Sequence, residues 1–486
     1  MTANIGENLS KNMIGALTWS SVNIFGIQII QLFIGIILAR ILMPSDFGII
    51  GILMVFNSFS TVLIDSGFSQ GIIRKRNTTQ KDLSTVFFFN LSISIALYLI
   101  LFFSTPLISQ FFSQPLLTKY ARILFIIVLI FPLYLIQQTQ LLKRLEYKSI
   151  AFVNIISVTI SGIVSIILAN KGLGVWALVS QQLLFHSLKA LIFPFFLRWK
   201  PLLCFTVSTI KDLWRFSLPL LGQTSLNVIF NQIYFIIMGR FYPIQQVGYF
   251  TQANKYSETV NAASQSILST GIFPVLSTIQ EDKTRLLEVY RKLVTSISAL
   301  SFPFVIYLII AAEPIIITLI TEKWLPSAIL LQLLLAANLF TPQFTININV
   351  LNAQGNSGTS LKLEIIKKIF ISISIIACFP FGIKIMLAGF VAANYLAYLF
   401  SMVSIKRSLN HFYRHQIGDL LKTLFISACI GAITWFINYL DIKTIYKLII
   451  QTIVFLGLYW VAIKIFFPNM LKEIKSIISK NKTNEI

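Results

Sequence analysis

Charge is scarce in this sequence. Only 12% of its 486 residues are Asp, Glu, Lys or Arg, about half the share of a soluble domain. Acid is scarcer still, with 17 carboxylates against 39 basic side chains. A water-soluble fold of this length needs a polar surface that these residues cannot supply. Cysteine is nearly absent: Cys204, Cys378 and Cys429 stand far apart with no CxxC, which excludes a disulfide framework and a spaced metal site. No HExxH, Walker A loop, GxSxG or DxD-type acidic pair occurs. The longest hydrophilic stretch, Thr278 to Lys292, is too short to fold alone. Polymerases, ligases and glycosyltransferases, which need extramembrane surface, are thereby disfavoured, as is ATP-driven transport by this chain alone. The first apolar run lacks a small-residue cleavage site, so it is expected to remain in the mature protein.

What the sequence has is long apolar runs. They make up most of a chain that is 56% apolar, with mean hydropathy +0.80. Runs of roughly 20 residues span a hydrocarbon core of about 30 Å. Bounded by charge, Pro or Gly, they fall at roughly 14–39, 47–68, 84–108, 121–141, 150–169, 174–197, 214–239, 247–276, 293–312, 326–351, 363–382, 385–405, 420–439 and 445–466. The expected fold is all-α, a polytopic membrane protein of about fourteen transmembrane helices. The eighth and tenth runs are the least apolar.

The net charge of +22 would suit a nucleic-acid binder if it formed one face or stripe. Here it is dispersed in short groups between the apolar runs, so no nucleic acid is expected as a partner. Placing the N-terminus in the cytoplasm puts most basic residues on the cytoplasmic side, as the positive-inside bias requires. Arg74, Lys75, Arg76 and Lys81 lie in one such loop, Lys143, Arg144 and Lys148 in the next, and Lys406, Arg407 and Arg414 in a later one. The later loops stay in phase, so an even number of spans with both termini cytoplasmic is the consistent solution. The basic stretch from Lys472 to Lys482 reads as a solvated tail.

Two segments repeat. LARILMPSDFGII (Leu38–Ile50) and MGRFYPIQQVGYF (Met238–Phe250) each close an apolar run with Arg and open the next with Pro and Gly. Arg40 and Arg240 correspond, as do Gly48 and Gly248, while Pro44 and Pro243 are one place out of register. Parallel repeats related by an axis along the membrane normal are a transporter architecture. The sequence divides on this basis into an N-terminal lobe with linker (1–210), a C-terminal lobe core (211–412) and a last helix pair with basic tail (413–486).

Polar residues inside spans are costly and mostly face a bundle interior or a watery cavity. The eighth span carries Gln252, Asn254, Lys255, Glu258, Asn261, Gln265 and Ser269. Lys255 and Glu258 are three apart, close enough on a helix to pair. Asn254, Glu258, Asn261 and Gln265 share a face. The seventh span adds Gln223, Asn227, Asn231 and Gln232, and the first adds Asn23, Gln28 and Gln31. These stripes read as cavity lining, although for the first span interhelical hydrogen bonding is an equal account. Asp65 lies close to Arg74 and reads first as a local pair, with a proton or cation site as the sharper alternative. Lys189 can snorkel from the sixth span, and His186 reads as a packed, hydrogen-bonded histidine.

The segment IILARILMPSDFGIIGILMVFNSFSTVLIDSGFSQGIIRK (Ile36–Lys75) resembles the bacterial polysaccharide repeat-unit flippases of the colanic-acid and teichuronic-acid exporter branch. That branch belongs to the multidrug/oligosaccharidyl-lipid/polysaccharide exporter superfamily. VGYFTQANKYSETV (Val247–Val260), FPVLSTIQEDKTRL (Phe273–Leu286) and LNAQGNSGTSLKLEIIKK (Leu351–Lys368) extend the resemblance. It implies two pseudo-symmetric lobes around a central cavity, alternating access, and a lipid-linked oligosaccharide on undecaprenyl diphosphate as cargo. The implied location is the bacterial cytoplasmic (inner) membrane, with membrane lipids and polysaccharide polymerase or export machinery as partners and no cofactor.

On that reading Arg40, Arg240 and Lys255 are the expected anion contacts, with Glu258 tuning Lys255. Asn227, Asn231, Asn254, Asn261 and Gln265 line the cavity, and Glu258 or Asp65 would couple transport to a proton or sodium ion. A cation-coupled small-molecule exporter of the same superfamily and a non-transporting membrane scaffold are the alternatives. The exporter predicts a more acidic cavity than these spans offer.

Overall fold

The computed structural model describes residues 2–409 and 413–466; the side chains of residues 2–14, 16, 17, 263–275, 413, 414 and 419 lie outside the description. Among the described residues every regular element is a helix. In a bilayer this is what satisfies the backbone without water. Twelve helices or helix pairs are long and apolar enough to cross a membrane. Two more are long but more polar: α10 (Ile244–Thr278), with its amides, and α15 (Ser357–Cys378), with Lys362, Glu364, Lys367 and Lys368. Their polarity is why hydropathy gives twelve where the sequence reading gives fourteen; the second polar run is the eleventh, 363–382, and not the tenth, which is apolar enough to qualify as Pro326–Ala353. The chain forms two compact units, Met1–Thr251 and Gln252–Ile486.

The first unit runs α1 (Thr2–Ile41), α2 (Pro44–Asp65), α3 (Phe68–Arg74), α4 (Gln80–Phe111), α5 (Leu116–Leu124), α6 (Ile126–Lys143), α7 (Tyr147–Asn170), α8 (Val175–Phe196), α9 (Val207–Phe241) and the start of α10. α1 lies along α7, where Asn154 Nδ2 donates to Asn23 Oδ1 at 3.0 Å. For the first span, interhelical bonding is therefore the observed use of Asn23. α2 breaks at Ser66 and Gly67, both at positive φ, before α3 resumes.

The second unit continues with α11 (Lys283–Ile310), α12 (Ala312–Ile320), α13 (Pro326–Ala337), α14 (Thr341–Ala353), α15, α16 (Ile383–Leu409), α17 (Tyr413–Trp435) and α18 (Thr444–Phe466). Its interior holds a buried polar chain. Tyr290 OH donates to Asn347 Oδ1 at 3.0 Å, and Asn347 Nδ2 donates to Ser401 Oγ at 2.7 Å. Phe340 stacks on Tyr398 with ring centres 5.0 Å apart.

Three of the prolines inside these helices are compensated by side chains. A mid-helix Pro has no N–H for the carbonyl four residues back. For Pro132 that carbonyl is Val128 O, which accepts from Ser94 Oγ at 2.6 Å. For Pro106 it is Phe102 O, which accepts from Thr105 Oγ1 at 2.8 Å. For Pro303 it is Ala299 O, which accepts from Tyr459 OH and so ties α18 to α11.

The sequence repeat has a geometric counterpart. α2 begins at Pro44 and α10 at Ile244, and the preceding helices end at Ile41 and Phe241. A Cβ on Gly48 would lie 2.2 Å from Ile244 O, and one on Gly248 would lie 1.7 Å from Pro44 O. Each glycine thus meets the first carbonyl of the other helix. Residue 244 is therefore the structural equivalent of 44, and Pro243 has moved one place out, ahead of the helix. This removes the apparent mismatch of the prolines.

Candidate functional site

α9 is packed at both ends and open in the middle. Near its start, a Cβ on Gly71 would be 2.9 Å from Leu213 Cδ2, and Ser217 Oγ donates to Gly67 O at 3.1 Å. Near its end, Phe235 borders Gly51 and Gly239 borders Ile52 and Phe112. Between them Gly222, Gln223, Thr224, Leu226 and Asn227 are exposed, and so is Asn231. Within this stretch Gln232 Nε2 donates to Ser58 Oγ on α2 at 3.4 Å. An exposed amide stripe midway along a helix of membrane length can hydrogen-bond a polar solute that lipid would not solvate.

In the second unit, α10 carries Asn254, Lys255 and Asn261 half-buried and Glu258 exposed. Gln252 is fully buried, and among the described residues neither of its amide atoms has a partner. Ser257 Oγ accepts from Asn338 Nδ2 at 3.2 Å, which ties this helix to the link between α13 and α14. Gln265 lies outside the described side chains.

The two arginines of the repeat are both exposed. Arg240 donates to Phe111 O and, at 3.3 Å, to Ser113 Oγ, and its guanidinium lies 5.3 Å from the Phe111 ring centre. It thus secures the end of α9 to the turn after α4. Asp65 does not pair with Arg74. Its carboxylate accepts from Ser69 N at 3.1 Å and from Ser69 Oγ, which in turn accepts from Thr139 Oγ1 at 3.0 Å. Arg74 lies over the Phe216 ring, 4.4 Å from its centre. The break between α2 and α3 leaves N–H groups without helical partners, and Asp65 accepts that of Ser69.

Two features escape sequence reading. Lys189 does not snorkel. Its side chain is buried, with Nζ 4.4 Å from the Tyr134 ring centre and 5.3 Å from that of Phe185. Tyr134 OH and His186 Nδ1 are 2.8 Å apart beside it, so His186 is hydrogen-bonded as expected. Asp82, in the first turn of α4, pairs with Lys75 at 2.7 Å, caps Thr79 N and accepts from Thr209 Oγ1 at 2.8 Å. Among the described residues no three His, Cys, Asp or Glu side chains come together as a metal site.

A polytopic all-helical chain whose opening helices recur defines a fold class, the one shared by two kinds of solved membrane transporter. The fold matches the lipid II flippase MurJ in its inward closed conformation, with TM-score 0.75 and 17% identity over 93% of this chain and 99% of that one. It also matches an inward-facing multidrug resistance transporter of the MATE family, with TM-score 0.58 and 15% identity over 79% and 95%. Within that class the chain belongs to the polysaccharide biosynthesis protein family, whose model matches residues 37–329. Its relatives include the teichuronic acid biosynthesis protein TuaB of Bacillus subtilis, 23% identical over 88% of this chain and 89% of that protein. The lipopolysaccharide biosynthesis protein WzxC of Escherichia coli is 22% identical over the same shares.

Proposed function

We propose that this chain is a flippase, a transporter and not an enzyme, that moves an undecaprenyl-diphosphate-linked oligosaccharide from the cytoplasmic to the outer face of the bacterial cytoplasmic membrane. The observation that carries the proposal is the exposed amide stripe of α9 in a chain of this family. A sugar-diphosphate headgroup cannot shed its water into hydrocarbon without replacement bonds. Amides and a few cations supply them while the polyprenyl tail stays in lipid. α10 and α15 are taken as spans, giving fourteen with both ends cytoplasmic. With the cytoplasm negative, each anionic charge moved outward gains about 2.3 kcal/mol per 100 mV.

In this reading Lys255 is the main anion contact on α10, with Asn254 and Asn261 beside it and Asn227 and Asn231 on α9. Arg40 and Arg240, at the outer mouth, serve release. Of the two candidate carboxylates, Asp65 is engaged at a helix break, so coupling to a proton or sodium ion is assigned to the exposed Glu258. The product is handed to polymerase or export machinery outside.

Reconstitution tests this. Liposomes holding the purified protein and a fluorescent lipid-linked oligosaccharide should move the label between leaflets, read by quenching from outside. Lys255→Ala should slow transfer at least about tenfold, a loss of about 1.4 kcal/mol of binding, and Lys255→Arg should restore most of it. Export of a cationic dye without sugar-lipid transfer would replace the proposal with the small-molecule exporter. No transfer of either would favour a scaffold.

A further inference from the structure

We propose that the second unit carries a separate binding cleft for a phosphorylated polyhydroxy headgroup, built where two of its turns meet the end of α16. The cleft, of about 590 Å³, is lined by Gln280, Glu281 and Lys283 before and at the start of α11, and by Gln354, Gly355 and Asn356 between α14 and α15. Arg407 and Ser408, near the end of α16, complete it. Ser408 Oγ donates to Gln354 Oε1 and so joins two of the three walls. Among the described residues neither Lys283 nor Arg407 has a hydrogen-bond or ion-pair partner. Asn356, at the N-cap of α15, gives that helix no side-chain cap. Gly355 has φ +77°, and nothing lies within 4 Å of where its Cβ would be, so the backbone there is open to close approach.

The first unit shows what this place looks like when it is filled. Its α6–α7 turn has the same construction. Glu146 N donates to Leu141 O and Leu145 N to Leu142 O, as Asn356 N donates to Leu351 O and Gly355 N to Asn352 O. Leu145, like Gly355, has positive φ. There Arg144 lies 3.9 Å from Glu146, so the charges of that turn answer each other. Gln80, the first residue of α4, accepts from Trp199 Nε1 at 2.8 Å and donates to Lys200 O at 2.6 Å, and Trp199 is buried against Phe87. In the second unit the first residue of α11 is Lys283, the helix end beside it offers Arg407, and the turn carries Gly and two amides. A self-satisfied junction has become an open one with unanswered positive charge.

The lining selects its ligand. A guanidinium fork and an ammonium bind phosphate oxygens, an uncapped helix start favours an anion, and the amides and Ser408 suit hydroxyls. Glu281 accepts from a hydroxyl and repels a bare anion, so a sugar or glycerol phosphate fits better than phosphate alone. That chemistry belongs both to the transported headgroup and to a glycerol-phosphate lipid of the same leaflet. The role as a capture point for cargo rests on the flippase reading; the binding does not.

The test uses the full chain in phosphatidylcholine nanodiscs, titrated with glucose 1-phosphate and followed by phosphorus NMR line width. Saturable broadening is expected. Arg407→Gln and Lys283→Gln should each weaken it at least about tenfold, and the exposed Lys384→Gln should leave it unchanged. Glu281→Gln should narrow the preference over inorganic phosphate. Repetition in nanodiscs containing phosphatidylglycerol names the source: binding that persists points to the sugar phosphate, and binding that is displaced points to the leaflet lipid. No broadening above a protein-free nanodisc, or equal broadening in the Arg407→Gln, Lys283→Gln double variant, overturns the proposal. Wild-type binding in a protein that moves no lipid-linked sugar keeps the cleft and removes only its role in transport.

Discussion

Gly248→Ala should damage this protein more than any other single alanine substitution at a glycine. Its Cβ would lie 1.7 Å from Pro44 O and 2.5 Å from Pro44 C, both backbone atoms that cannot swing aside. Gly48→Ala should follow, because Ile244 O stands 2.2 Å from its Cβ. Gly51→Ala should be milder: its nearest contact, at 2.5 Å, is the Thr251 hydroxyl, which can rotate. Gly222→Ala, with nothing within 4 Å, should be neutral or stabilising by up to about 1 kcal/mol, the helix-propensity difference. Overpacking costs about 1–3 kcal/mol where neighbours can yield, and here the neighbours are the opening turns of two helices. Melting of the detergent-purified variants should rank them in that order. Equal stability of Gly248→Ala and Gly222→Ala would show that the two helix starts do not pack as described.

Asp82→Ala should be the second large effect. One carboxylate pairs with Lys75, caps the first turn of α4 and holds Thr209 in the first turn of α9. Its own side chain is 8% exposed and that of Lys75 36%. Removing one partner of a fully buried pair costs about 3–5 kcal/mol. With Lys75 partly in water, about 2–4 kcal/mol is expected once the lost cap is included. Thr209→Val removes only one of these bonds and should cost about 1 kcal/mol. The readouts are the melting temperature and protease sensitivity of the linker at 197–206. A loss no larger than that of Thr209→Val would mean that Asp82 is an ordinary cap.

The membrane class and the helices were readable from the sequence because the bilayer imposes one length and one polarity on each span. The limits of that signal lie at α10 and α15. The first is rich in amides and the second in Lys, so the hydropathy that marks the twelve candidate spans does not mark them. The repeat was readable from Arg40/Arg240 and Gly48/Gly248, but the offset of Pro243 needed the helix starts. Asp82 and Thr209 are bonded across more than a hundred residues, and no local pattern announces such a contact. The same holds for Lys189 under Tyr134, since a lysine in an apolar run reads as snorkelling until the rings around it are known. The cleft draws on turns from Gln280 to Ser408, and its character shows only beside the filled junction of the first unit.

The flippase activity is tested in the native host by deleting the gene and locating undecaprenyl-linked oligosaccharide on the two faces of the membrane. Accumulation on the cytoplasmic face with loss of surface polysaccharide is expected. Restoration by the wild-type gene but not by Lys255→Ala is also expected. Unchanged surface polysaccharide and no accumulation, in a strain whose other genes of this family have also been removed, would contradict it.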